Sequence, residues 1–154
     1  MRTLSKTRAA GFRPWGCVLS LLFCLGASVS AADLKIEAKL VWGTNDDKYS
    51  NPKHTRVDEN TAERLGKIFK WKNYFVVNQQ TTNVLARQTR RLKMSEPCAI
   101  DVTELEGDRV EVTLFGEGKP VNKSFQPLKK GETVVLAGSD KNDCAWFILI
   151  TQLE

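Results

Sequence analysis

Near the C-terminus stands the stretch AWFILI, Ala145 to Ile150, in which every residue is apolar. Successive side chains of a strand point to opposite faces, so a run this uniform has to bury both of them. Ala145–Ile150 is therefore expected as a central strand, covered on either side.

The strands around it read differently. DLKIEAKLVWG alternates, with Leu34, Ile36, Ala38, Leu40 and Trp42 on one face and Lys35, Glu37 and Lys39 on the other. That is the pattern of a half-buried strand. NYFVVNQQT and TRRLKM have strand character as well. AIDVTELEGDRVEVTLFG is the plainest hairpin, with Ile100, Val102 and Leu105 on one arm, Val110, Val112 and Leu114 on the other, and Glu106-Gly107-Asp108 turning between them. KPVNKSFQPL, ETVVLAG and CAWFILITQL are separated by Lys130-Gly131 and by the polar run from Gly138 to Asp143. Between the first two strands, Asp58 stands at an N-cap position, with Glu59 and Glu63 suited to the positive end of a helix dipole. Ala62, Leu65, Ile68 and Phe69 follow at helical spacing, which predicts an amphipathic helix over about 58–70 with these four side chains inward. The fold class is thus mainly β: a small antiparallel β-sandwich or partly closed barrel of about eight strands, the helix covering an edge or an open end.

The other long apolar stretch, CVLSLLFCLGASV, follows the basic residues Arg2, Lys6, Arg8 and Arg13 and precedes the small residues Ser30-Ala31-Ala32. Residues 1–31 form a secretory signal peptide by this pattern, and 32–154 a single β-rich domain. The apolar run falls short of the roughly 20 residues a membrane span needs, so no span is expected after cleavage. The product is periplasmic or extracellular. Removing those four cations leaves 19 of the 23 Lys and Arg against 18 Asp and Glu, so the headline charge of +5 shrinks to +1. A near-neutral domain gives no reason to expect specific nucleic-acid binding. Cys98 and Cys144 are the cysteines left in an oxidising destination, which predicts a disulfide between them. In the chain-entropy model such a bridge stabilises by roughly 4 kcal/mol.

KIFKWKNYF, Lys67 to Phe75, interleaves cations with aromatics. One reading is a ligand surface, in which Lys70, Trp71 and Lys72, extended by Arg91 and Lys93, grip an acidic polymer while the indole stacks. The other is a helix-to-strand junction: Ile68 and Phe69 finish the helix stripe, and the lysines meet the negative end of the dipole. Local rules place most of these residues, which favours the junction; Trp71 alone has no imposed orientation.

This stretch also resembles a group of small exported bacterial β-domain proteins of uncharacterised function, in which a helix ending in a similar Lys-aromatic-Lys segment precedes short strands. The resemblance is carried by Lys70-Trp71-Lys72-Asn73-Tyr74 and the order of elements around it. No activity attaches to that group, so it assigns no functional residue.

Catalytic chemistry is thinly provided. His54 is the one histidine, in a loop without a spaced partner, and reads as a solvated side chain. No serine sits in a G-x-S-x-G motif. One His and two distant Cys fall short of a zinc site, and TNDDKYSN and GSDKND lack EF-hand spacing, so no metal or cofactor is expected. The sequence points to an exported non-enzymatic β-domain that binds an envelope partner, either a protein through a strand edge or an acidic polymer. The alternative is a small secreted hydrolase or hydrolase inhibitor. The tripartite N-terminus predicts cleavage near Ala31 or Ala32, and N-terminal mass spectrometry of the protein from its own compartment should find no peptide from residues 4–25.

Overall fold

The AWFILI run forms β9 (Ala145–Gln152), and its two faces are buried in two different clusters. The computed structural model describes residues 33–153 except 107 and 140–143; the signal-peptide segment 1–31 lies outside them. Strands numbered in chain order make two sheets. The first runs β2 (Thr55–Arg56), β3 (Asn73–Val84), β1 (Leu34–Thr44), β9, β8 (Thr133–Ser139) across its width. The second runs β4 (Thr89–Lys93), β5 (Cys98–Leu105), β6 (Arg109–Gly116), β7 (Lys119–Pro127). All strand pairings within them are antiparallel. The mainly-β expectation holds, and the arrangement is a sandwich.

The even-numbered residues explain why the sheets face one another. Ile36, Ala38 and Leu40 of β1, Ile148 and Ile150 of β9 and Leu136 of β8 pack against Leu92, Ile100, Val102, Val110, Val112 and Leu114 of the second sheet. Burying an aliphatic side chain of this size is worth about 1.5–3 kcal/mol, so the facing stripes hold the layers together. Toward the β3–β4 side polar straps assist: Asn78 Nδ2 donates to Met94 O at 2.8 Å, and Gln80 Nε2 to Lys93 O at 2.5 Å.

The odd-numbered side chains of β9 use the helix instead. Ala145, Phe147 and Leu149 cluster with Val41, Tyr74 and Leu65 of α1 (Glu59–Ile68). The helix therefore lies on a face of the first sheet, rather than over an edge or an open end. Asp58 caps it as expected, accepting from Thr61 N at 2.9 Å, and hydrogen bonds from the Thr61 side chain and then its backbone hold the carboxyl below its usual range. The C-terminus departs from expectation. Phe69 N still donates to Leu65 O at 2.8 Å, but Phe69 itself is extended, with ψ 157°. Its ring turns inward to within 4.6 Å of the Phe147 centroid, while Ile68 is left 70% exposed. Ala62, Leu65 and Phe69 lie three and then four residues apart, which is already a full stripe, and Ile68 falls to its side. Room for Phe147 comes from Gly43: a Cβ there would lie 2.8 Å from the ring.

The cysteines also depart from expectation. Cys98 and Cys144 are separate thiols, not a disulfide. Cys98 opens β5 in the second sheet, whereas Cys144 precedes β9 in the first, where its Sγ donates to Thr44 Oγ1 at 3.7 Å.

Phe147 is the shared contact of Phe69, Trp71 and Tyr74. Phe147→Ala should therefore cost about 3–5 kcal/mol in urea denaturation and expose Trp71 to solvent. A loss below about 1 kcal/mol would show that the helix is seated by other contacts.

Candidate functional site: an apolar cleft between the sheets

Regular pairing fails at one place in each sheet. Opposite β1, Leu40 pairs with Asn78 but Val41 with Val76, so Val77 is an extra residue in β3. Opposite β6, Leu114 pairs with Asn122 but Phe115 with Pro120, so Val121 is an extra residue in β7. These are β-bulges, which bend a strand and re-aim a side chain. Before its bulge β3 sends Tyr74 and Val76 to the helix side; beyond it Val84, in phase with Asn78 and Gln80, belongs to the core between the sheets. Val77 and Val121 both line the same cleft, which opens where the packed core ends.

The cleft has a volume of about 530 Å³, within the roughly 300–1,000 Å³ of small-molecule sites. On the first sheet, register sets an aromatic wall. Phe75, Trp42, Trp146 and Gly138 lie side by side across β3, β1, β9 and β8, and the two tryptophans border the cavity together with Leu40 and Val77. Trp146 holds its place by lying over Gly138, where a Cβ would fall 1.9 Å from its ring. Any larger residue at 138 has to displace the indole. The second sheet supplies Leu114, Gly116, Cys98, Pro97 and Val121, with Phe115 at the rim.

Polar groups are few: Tyr49, His54 and, from the opposite sheet, Ser95. Tyr49 and His54 come from the β1–β2 loop, and the Tyr49 hydroxyl is hydrogen-bonded to His54 Nδ1, the rings stacked at 5.9 Å. Tyr49 also packs on Phe75 at 4.7 Å. Asx turns shape this loop: Asp46 Oδ1 accepts from Lys48 N and Asn51 Oδ1 from Lys53 N. Asn73 ties it to β3, its amide donating to Asp47 Oδ1 at 3.3 Å while its carbonyl accepts from Arg56 at 3.1 Å. His54 is thus a half-buried, anchored side chain rather than a solvated one.

The residues singled out from sequence fall in two other places. Trp71 is half-buried at the helix junction, edge-on to Phe147 at 5.7 Å, with Lys70 Nζ 5.4 Å from its centroid. Lys72 is exposed, and its backbone N–H donates to Asn45. Arg91 and Lys93 lie on β4, an edge of the other sheet. Arg91 makes a bidentate contact with Asp101 at 2.6 and 2.8 Å, which pushes its guanidinium above the usual range, and stacks on Phe115. Lys93 holds Glu96 at 2.8 Å and its carboxyl below the usual range. These two cations border a shallow groove that shares Ser95, Pro97, Cys98 and Phe115 with the cleft. The hairpin acids are engaged too, Glu104 and Glu106 with Arg87 and Glu111 with Lys123. Among the described residues, no group of three His, Cys, Asp or Glu is placed to hold a metal ion.

Set against family models, curated proteins and solved structures, the chain matches none. The site therefore rests on its own geometry.

Cys98 provides a built-in reporter. It forms part of the cleft wall, and burial pushes its thiol above the ordinary value. Alkylation of Cys98 should be slow at neutral pH and should still be climbing where an ordinary thiol, with pKa about 8.5, has levelled off. Peptide mapping after alkylation of the unfolded, unreduced protein should find label on both Cys98 and Cys144; a linked peptide pair would restore the disulfide.

Proposed function

We propose that this chain is an exported, non-enzymatic binding domain whose ligand is an apolar small molecule held between the two sheets. The observation that carries this reading is the cleft itself: about 530 Å³, walled by Trp42, Trp146, Leu40, Leu114 and the two bulge valines. A concave, largely apolar pocket with a few convergent polar groups is the usual form of a small-molecule site. Apolar transfer supplies affinity at about 25 cal/mol per Å² of ligand surface removed from water. Binding rather than hydrolysis is supported by the company His54 keeps, since its hydrogen bond goes to Tyr49 and not to a serine, cysteine or carboxylate. An acidic-polymer patch has less support, because Arg91 and Lys93 are each matched by a carboxylate. Exposed pairs of this kind give little net charge to attract a polyanion.

Contact with an envelope protein through a strand edge is a second reading, favoured by β7. It is the outer strand of its sheet, and it leaves Val121 and Phe125 59% and 62% exposed. Val121 also borders the cleft, so a partner seated there would stand at the ligand's door.

N-phenylnaphthylamine, which fluoresces in apolar surroundings, should bind the protein at micromolar concentration and slow the alkylation of Cys98. Val121→Trp fills the cleft from an exposed position, so it should weaken the probe at least tenfold while changing stability by no more than about 0.5 kcal/mol. Absence of probe binding to the unsubstituted protein overturns the reading.

A further inference from the structure

We infer that the occupant of the cleft carries a hydrogen-bond acceptor oxygen, a carbonyl or carboxylate, at the pole that meets Tyr49 and His54. This rests on the cleft being a ligand site and adds what the ligand must contain.

A tyrosine hydroxyl brings one donor and a neutral imidazole brings one. Their mutual hydrogen bond between the Tyr49 hydroxyl and His54 Nδ1 uses one of the two. If the hydroxyl donates, the imidazole proton sits on Nε2 and is left over. If Nδ1–H donates, the hydroxyl proton is left over. Either tautomer leaves the pair with one unspent donor, so the conclusion does not depend on which is present. Among the described residues no other hydrogen bond engages either side chain. Both border the cleft, and both are half-buried. A donor facing an apolar occupant is left unsatisfied at a cost, whereas an acceptor oxygen satisfies it. The loop that presents the pair is fixed by Asx turns, by Asn73 and by the Phe75 ring, so the donor is held in place before the ligand arrives. The occupant is thus an amphiphile with an aliphatic or aromatic body against Trp42 and Trp146 and one oxygen pole. Ser95 is the other hydroxyl bordering the cleft; it belongs to the β4–β5 turn of the opposite sheet.

The test is displacement of N-phenylnaphthylamine by methyl decyl ketone and by dodecene, which share a carbon count and differ in the oxygen. The readout is the ratio of displacing concentrations, compared between proteins so that the aqueous solubilities cancel. In the Tyr49→Phe/His54→Phe double variant the ketone's advantage should fall by about threefold to tenfold, the worth of one neutral hydrogen bond. Each single variant should lose less, because the remaining partner keeps a donor. The double variant must still bind the probe, which shows that the cleft survives. An unchanged ratio overturns the inference and leaves the cleft reading standing; a ratio unchanged until Ser95→Ala is added moves the role to Ser95. Failure of the probe to bind any form, the unsubstituted protein included, overturns the cleft reading and this inference with it.

Discussion

Everything in this domain is arranged around a strand that cannot face water on either side. Ile148 and Ile150 of β9 are fully buried between the sheets, and Phe147 is fully buried on the reverse. A single extra layer would leave one of these faces wet. The second sheet covers the even residues and α1 covers the odd ones, which accounts for a helix in an otherwise β chain. The position of the helix then dictates its exit. Phe69 has to reach Phe147, Trp71 follows it down, and the chain re-enters the sheet at Asn73. The cation-aromatic pattern of KIFKWKNYF is what such an exit looks like: rings aimed at Phe147 alternate with lysines left outside.

The same sheets that pack tightly over most of their length part company at one end. Bulges at Val77 and Val121 interrupt both ladders near the cleft, and the core residues stop there. Toward β3 and β4 the amides of Asn78 and Gln80 strap one sheet to the other, whereas Val121 on the opposite edge strand is open to solvent. A core of this size contributes stability through close packing, and the cleft forgoes part of that contribution.

Much of the fold was legible because period and capping are local signals. The alternation of β1, the hairpin of β5 and β6, the Asp58 cap and the two-faced character of β9 all follow from neighbours in sequence. Ile68 was misplaced because a 3.6-residue stripe tolerates either of two adjacent apolar residues, and contact with Phe147 chose Phe69. The cleft was not legible. Its walls come from β1, β3, β5, β6, β7 and β9 and from two turns, and what assembles them is a pair of one-residue register shifts that periodicity does not reveal. Trp42 was readable as inward, but whether inward meant core or cavity depended on Val77 lying opposite an irregular step. Tyr49 and His54 looked like loop residues, since the turn that brings them together is built from Asp46, Asn51 and a distant Asn73. The disulfide expectation failed for a related reason: two cysteines in an exported chain are a compositional signal, and composition does not say that they sit in different sheets.

The alternation of β9 separates two lineages of change. Trp146 touches the cleft and Phe147, its immediate neighbour, touches the helix, yet their side chains lie on opposite sides of one backbone. A substitution at Trp146 reshapes the cavity wall on the side away from α1, whereas one at Phe147 acts on the layer that seats the helix. One backbone thus carries two surfaces that can be altered separately: a cavity wall at Trp146 and a helix seat at Phe147.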